Sequence, residues 1–191
     1  MSPVLTFYET RFAPYDDPDP AQALLEMVAA ATVSAQIDIY GFTYAPLMDA
    51  LIAAHQRGVH VQIVADHSQS AGTAERPQLQ RLVDAGIDLV IGVSARGGID
   101  HSKYLLIDAA LGVMAPQSCV AFGSFNFSVS ALSQDNTLTK TNDAAMVASF
   151  LANWEQVYAD AVTKHPEWQI KPTESIHIGP ATLILNAESP P

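Results

Sequence analysis

The sequence predicts an α/β protein, with a mixed, largely parallel central sheet flanked by helices on both faces. Three observations carry this. Through residue 108 the segments alternate between strand-like and helix-like patterns in the order β-α-β-α-β-α-β-β, which argues for strands joined by crossover helices. Tyr104 to Ile107 are apolar at both parities, as expected of a central strand covered on both sides. The 191 residues are 49% hydrophobic and 15% charged, enough apolar material for one core without cross-links.

The first strand is expected at Val4 to Glu9. Asp16 to Pro20 then form a turn, with Asp19 as N-cap and Pro20 at the first helical position. The spacing of Leu24, Leu25, Met27 and Val28 predicts a helix over 21–34. A second strand carries Ile37, Ile39 and Tyr40 and ends near Phe42 to Tyr44. Leu47, Leu51, Ile52 and Ala54 predict a helix over 46–57, stopped by Gly58. Val59, Val61 and Ile63 form a third strand that runs out at Asp66. Residues 66–73 are expected as a polar loop, 76–85 as a helix, 87–91 as a fourth strand and 94–98 as a turn.

Beyond Asp108, residues 109–118 read as a short hairpin, 120–122 as a strand, 128–132 as one or two helical turns and 136–141 as another strand. Val147, Phe150, Leu151, Trp154, Val157 and Tyr158 define an amphipathic helix over 143–162. The catalytic domain is expected to span residues 1–165. Residues 166–191 form a C-terminal extension, with two short strands expected at 176–178 and 182–185.

Two polar clusters interrupt this apolar pattern. In Ile99-Asp-His-Ser-Lys103, His101 and Lys103 lie two apart at the mouth of a buried strand, so both side chains point to one face. Open α/β sheets place ligands at such strand ends. In Gly123-Ser-Phe-Asn126, Ser124 and Asn126 also share parity, and Gly123 permits close backbone approach. If the two strands are neighbours, an imidazole, an ammonium, a hydroxyl and a carboxamide meet, a donor set suited to a tetrahedral oxyanion such as phosphate. Asp135 could accept from the other imidazole nitrogen and fix its tautomer.

Composition limits the partners. Twenty acidic residues against nine basic ones give a net charge of −11, and no basic run exists. Since nucleic-acid affinity comes largely from cations neutralising phosphates, any such binding must rest on a few local cations, for which Arg57, Arg76, Arg96 and Lys103 are the candidates. No apolar stretch is long enough to span a bilayer, and the N-terminus lacks the basic flank and apolar core of a secretory signal. A cytoplasmic location is the expectation. The single cysteine, Cys119, excludes an intrachain disulfide and is expected to be a buried apolar residue.

His-x-Lys-x-x-x-x-Asp at 101–108 followed by Gly-Ser-x-Asn at 123–126 resembles the phospholipase D superfamily signature. From about residue 4 to 163 the chain resembles its small, single-motif branch, the Nuc-type endonucleases and Zucchini-like proteins. Ile-Tyr-Gly-Phe-Thr, Arg-Gly-Val-His-Val-Gln-Ile-Val-Ala-Asp and Ser-Phe-Asn-Phe-Ser-x-Ser-Ala belong to the same likeness. The resemblance implies that His101 attacks phosphorus to form a phosphohistidine, that Lys103, Ser124 and Asn126 hold phosphoryl oxygens, and that Asp108 is a structural support. One motif per chain implies a homodimer with two copies of His101 at a shared site, and neither cofactor nor metal. Two departures stand out. The residue before the last strand is typically glutamate in that branch and here is Asp135, and the segment between Asp108 and Gly123 is longer.

The expected function is therefore a metal-independent phosphodiesterase, a non-specific endonuclease on DNA or RNA. The alternative is a phospholipase D or phosphatidyl-transferring enzyme with phospholipid as substrate. A binding protein that has lost turnover is a third class, disfavoured by the intact His, Lys, Ser and Asn set. For the other singular residues plainer readings hold: His60 is a strand residue without chemistry, His55 lies on a helix surface and Phe127 is core. His67 is a weak candidate for the groove, and Tyr44 could stack on a base.

Overall fold

The computed structural model describes residues 3–10, 19–109 and 117–173. Seven strands form one sheet: β1 (Leu5–Thr10), β2 (Ser34–Ile39), β3 (His60–Asp66), β4 (Asp88–Gly92), β5 (Lys103–Ile107), β6 (Cys119–Gly123) and β7 (Asn136–Thr141). Their spatial order is β1-β7-β6-β5-β2-β3-β4. Among the described residues five α-helices accompany them: α1 (Pro20–Ala30), α2 (Ala45–Gln56), α3 (His67–Ser70), α4 (Arg76–Asp84) and α5 (Ala144–Lys164). The expected mixed sheet is present. Its parallel pairings are β2 with β3 and β3 with β4, where crossover helices join consecutive strands. The other four pairings are antiparallel. Five strands nonetheless run one way, with β5 and β7 reversed.

Strand parity sorts the two faces. Ala35, Ile37 and Ile39 of β2, with Leu105 and Ile107 of β5, build the larger core beneath α1, α2 and α4. Val64, Val90, Tyr104, Leu106 and Val120 build the smaller one beneath Val147, Trp154 and Ala161 of α5. Each fully buried Leu or Phe contributes about 1.5–3 kcal/mol of transfer free energy. The indole of Trp154 also donates to the Ile37 carbonyl at 3.0 Å, anchoring α5 to the central strand.

Helix starts follow the sequence. Asp19 accepts from the Ala21 amide at 2.8 Å, with Pro20 at the first position, and Asp143 accepts from Met146 at 2.9 Å. Four boundaries differ from expectation. Strand β2 ends at Ile39 rather than near Phe42 to Tyr44, because the chain turns there, with the Tyr40 amide on the Ser102 carbonyl of the loop before β5. Helix α1 stops at Ala30 rather than reaching Ser34, because the Asp108 carboxylate takes the amides of Thr32, Val33 and Ser34 out of the helical ladder. Residues 66–73 are not wholly loop: Asp66 accepts from the Ser68 and Gln69 amides and caps α3. Strand β5 begins at Lys103, leaving His101 in the loop before it.

Residues 166–173 lie along the domain. Trp168 stacks between His67 and His165, at centroid distances of 3.9 and 3.7 Å. The Gln169 carboxamide bonds both the N–H and the C=O of Ile91, as a neighbouring strand would. Most of the expected 109–118 hairpin, the 16–18 part of the first turn and the strands expected at 176–178 and 182–185 fall outside the described residues.

Candidate active site

The C-terminal end of β2 organises the site. The amide of Tyr40, the residue after β2, donates to the Ser102 carbonyl at 2.9 Å, tying this turn to the His101 loop. The His101 ring meets the Tyr40 ring edge-on at 4.6 Å between centroids, and Lys103 Nζ lies 5.0 Å from the Tyr40 centroid. The Tyr40 hydroxyl accepts from Gln69 Nε2 of α3 at 2.9 Å, which holds the ring in place. On the other side, Phe42 bridges to Phe127, and a Cβ added to Gly41 would lie 3.6 Å from the Asn126 carboxamide. Five residues, Tyr40 to Tyr44, thus join the His-Lys motif to the Ser-Asn motif.

His101 is exposed, whereas Lys103 is buried, with 6% of its surface accessible. The ammonium donates to the His101 carbonyl at 2.7 Å, so the lysine supports the loop that carries the imidazole. Burial pulls the Lys103 pKa below its usual range, while Asp100, Asp38 and Asp66 pull the other way. Three aspartates therefore lie close enough to balance one partly desolvated cation. Asp66 Oδ2 accepts from the Asp100 amide at 2.6 Å, and Asp100 Oδ1 accepts from the Ser102 amide and hydroxyl at 3.2 and 2.7 Å.

The second motif is set by a close backbone approach. A Cβ on Gly123 would fall 2.1 Å from the Thr137 carbonyl oxygen, so only glycine lets β6 and β7 meet there. Ser124 follows directly: its amide donates to the Thr137 carbonyl, and its Oγ accepts from the Thr137 amide at 3.0 Å and donates to Asn136 Oδ1 at 3.2 Å. Asn126 is half-buried, and its Oδ1 is shielded from solvent without a hydrogen-bond partner among the described residues. A polar atom in that state is ready for an incoming donor or water.

The remaining expected residues fall in different places. Asp135 is exposed just before β7, and no hydrogen bond joins it to His101. Asp108 lies at the opposite end of β5, in the left-handed region with φ of 52°. There its carboxylate binds the α1–β2 turn and accepts from Gln117 Nε2 at 3.1 Å. Arg57 is also at that far end, donating to the Val28 and Ala29 carbonyls at the end of α1, and so cannot belong to a groove at the site. Arg76 and Arg96 remain exposed on segments that follow β3 and β4 at the site end. His67 is spent on Trp168, and Tyr44 packs against the core at the start of α2. Phe127 is fully buried, and Cys119 is buried with its thiol pKa raised by desolvation.

Sequence reasoning missed Tyr40, Asp38, Asp66 and Asp100 as site neighbours. The available signals were Tyr40-Gly41 directly after a strand and Asp100 adjacent to His101. For Asp38 the signal was an aspartate inside a strand otherwise fit for burial. Among the described residues no group of three or more His, Cys, Asp or Glu side chains has the geometry to hold a metal ion. No described helix is long and apolar enough to cross a membrane.

Comparison with known proteins agrees with this architecture. A phospholipase D from Rickettsia prowazekii is 31% identical over 132 residues, covering 69% of this chain and 58% of that protein. The chain thus spans somewhat more than half the length of that relative. A mitochondrial cardiolipin hydrolase from Xenopus laevis is 25% identical over 162 residues, covering 84% of this chain and 71% of its own. The crystal structure of Nuc from Salmonella typhimurium, a phospholipase D family member, superposes with a TM-score of 0.70 at 25% identity, covering 83% of this chain and 95% of Nuc. The family model for the cardiolipin synthase, PLD-like domain matches residues 24–158, a span that holds the whole sheet except β1 together with both polar motifs. With fold and family model in agreement, the chain belongs to the phospholipase D superfamily and shares the fold of Nuc.

Proposed function

We propose that this protein is a phosphodiesterase whose nucleophile is His101. The observation that carries the reading is the convergence on Tyr40 and Gly41 of an exposed imidazole, a lysine held beneath it and the Asn126 carboxamide, whose Oδ1 has no partner among the described residues. An imidazole nitrogen of His101 attacks phosphorus, a P–N bond forms and the P–O bond to the leaving alcohol breaks. Water then attacks phosphorus and releases the histidine. Lys103, Ser124 and Asn126 carry the charge that develops on the phosphoryl oxygens. The leaving alcohol needs a proton that the attacking His101 cannot supply, and Asp135 makes no hydrogen bond to His101. A second copy of His101, from a two-fold related subunit, fills that role. The pair then titrates as a unit and gives a bell-shaped pH profile. Asp108 supports the fold from a distance, and the chemistry needs no metal.

The substrate we favour is DNA or RNA, cleaved without sequence specificity, on the likeness to Nuc over nearly its whole length. The net charge of −11 makes that binding weak and strongly salt-dependent. Lipid phosphodiesters are the second reading. It is favoured by three exposed apolar side chains beside the motifs, Ile99 before His101 and Val129 and Leu132 after Asn126. The names of the Rickettsia and Xenopus relatives point the same way.

The test is one panel, with and without chelator: single-stranded DNA, duplex DNA, RNA, phosphatidylcholine and cardiolipin vesicles, and a chromogenic phosphodiester. His101→Asn serves as control. Chelator-resistant cleavage that disappears in His101→Asn is expected, and cleavage that survives that substitution overturns the mechanism. An active protein that is strictly monomeric by light scattering removes the shared site.

A further inference from the structure

One buried carboxyl pair beside the site has no part in the chemistry above. Asp38 sits on the α5-facing side of β2 and is fully buried, with neither carboxyl oxygen hydrogen-bonded among the described residues. Asp100 Oδ2 is also buried and unpartnered. The two are near enough for the Asp100 charge to act directly on Asp38. The hydroxyls that could serve Asp38 donate elsewhere: Ser102 Oγ to Asp100 Oδ1 at 2.7 Å, and Tyr104 to Asn153 Oδ1 at 2.9 Å. An ionised carboxylate without donors in such surroundings is costly, and a second one beside it raises the cost. One proton held between the two satisfies both.

We propose that Asp38 is a positioning residue of this site, sharing one proton with Asp100 and thereby holding the Asp100–Ser102 turn that presents His101. The inference rests on the reading of His101 as nucleophile. Asp100 Oδ1 closes the turn on Ser102, the Asp100 amide is held by Asp66, and the Ser102 carbonyl takes the Tyr40 amide. His101 lies between these fixed points. The ionisable groups around Asp38 are Asp100 from the loop and Tyr104 and Lys103 from β5, with Asp66 at the end of β3 acting on Lys103. Helix α5 turns the uncharged Trp154 toward this layer. Burial first, and the Asp100 charge second, push the Asp38 pKa up to about 8, against the opposing pull of the nearby Ser102 and Tyr104 hydroxyls. Above that pH the shared proton leaves to solvent, two adjacent carboxylates repel, and the turn loosens.

The experiment uses the full chain labelled with ¹⁵N, as wild type and Asp38→Asn, the latter a neutral mimic of the protonated side chain. Amide shifts of Asp100 and Ser102 are followed between about pH 6 and pH 10, alongside kcat on a chromogenic phosphodiester. In the wild type both amides should titrate together with a midpoint near 8, and in Asp38→Asn that titration should vanish. The limiting alkaline slope of log kcat should be shallower in Asp38→Asn than in the wild type. Amides that do not move in the wild type, or that still titrate in Asp38→Asn, overturn the shared proton. An alkaline slope equal in both proteins overturns the positioning role. If the amides behave as expected but the wild type cleaves nothing, the shared proton is supported and only the reading of the site falls.

Discussion

Lys103 Nζ donates to the backbone carbonyl of His101, its neighbour two residues back, at 2.7 Å. On the proposed reading the lysine is therefore both a cation for the reaction and a brace for the loop that carries His101. Lys103→Gln removes both. We expect kcat on a chromogenic phosphodiester to fall by about 10²–10³, the usual size of a lost oxyanion contact. Lys103→Arg should not rescue it, because a planar guanidinium cannot replace the ammonium in that buried space. Activity of Lys103→Arg near wild type would show that charge alone matters there.

Gly123→Ala should disturb β6 and β7 together. The added methyl would overlap the Thr137 carbonyl, which is strand backbone and cannot swing aside. The expected loss is about 1–3 kcal/mol in urea unfolding, the range for overpacking, with reduced activity because Ser124 is bonded to the same Thr137. Unchanged stability would mean that the two strands are not in this register.

Asp108 contributes to stability as an anion. Burial opposes its charge, but the amides of Ser34, Val33 and Thr32 and the Thr32 hydroxyl outweigh that and lower its pKa. A carboxyl with a lowered folded pKa stabilises above its unfolded value, and that contribution is lost as pH falls through the folded one. Asp108→Ala should cost about 2–4 kcal/mol at neutral pH, since it orphans several amides at once. The difference from wild type should shrink below about pH 4. Equal unfolding free energies at pH 7 would contradict the assignment.

Glu75 should behave in the opposite way. Burial raises its pKa to about 7 against the pull of the Phe42 amide, and the Asp66 charge adds to the rise. The folded state thus keeps a proton that the unfolded chain gives up at the ordinary value of 4.5, and stability falls as pH rises from there to about 7. Glu75→Gln should remove that slope, so that the variant gains on the wild type toward neutral pH. Parallel stability curves for the two proteins would rule this out.

Local physics in the sequence was enough for the type of every strand and of helices α1, α2, α4 and α5, for the capped helix start at Asp19, the covered strand 104–107 and the two polar motifs. These depend on residues close together in the chain: a side-chain oxygen two or three residues from an amide, or apolar parity along one strand. The tertiary structure decided what depends on distant residues. The end of α1 is set by Asp108, some seventy residues away, so no helix-stop signal near Ala30 could mark it. Arg57 left the expected groove because α2 runs the length of the sheet and delivers it to the far end. Tyr40 became the centre of the site through β2 lying beside β5, an adjacency that no periodicity encodes. The sequence thus determined which chemical groups the site has. The order of strands in the sheet decided which of them meet, because contacts across a sheet follow pairing and register rather than spacing along the chain.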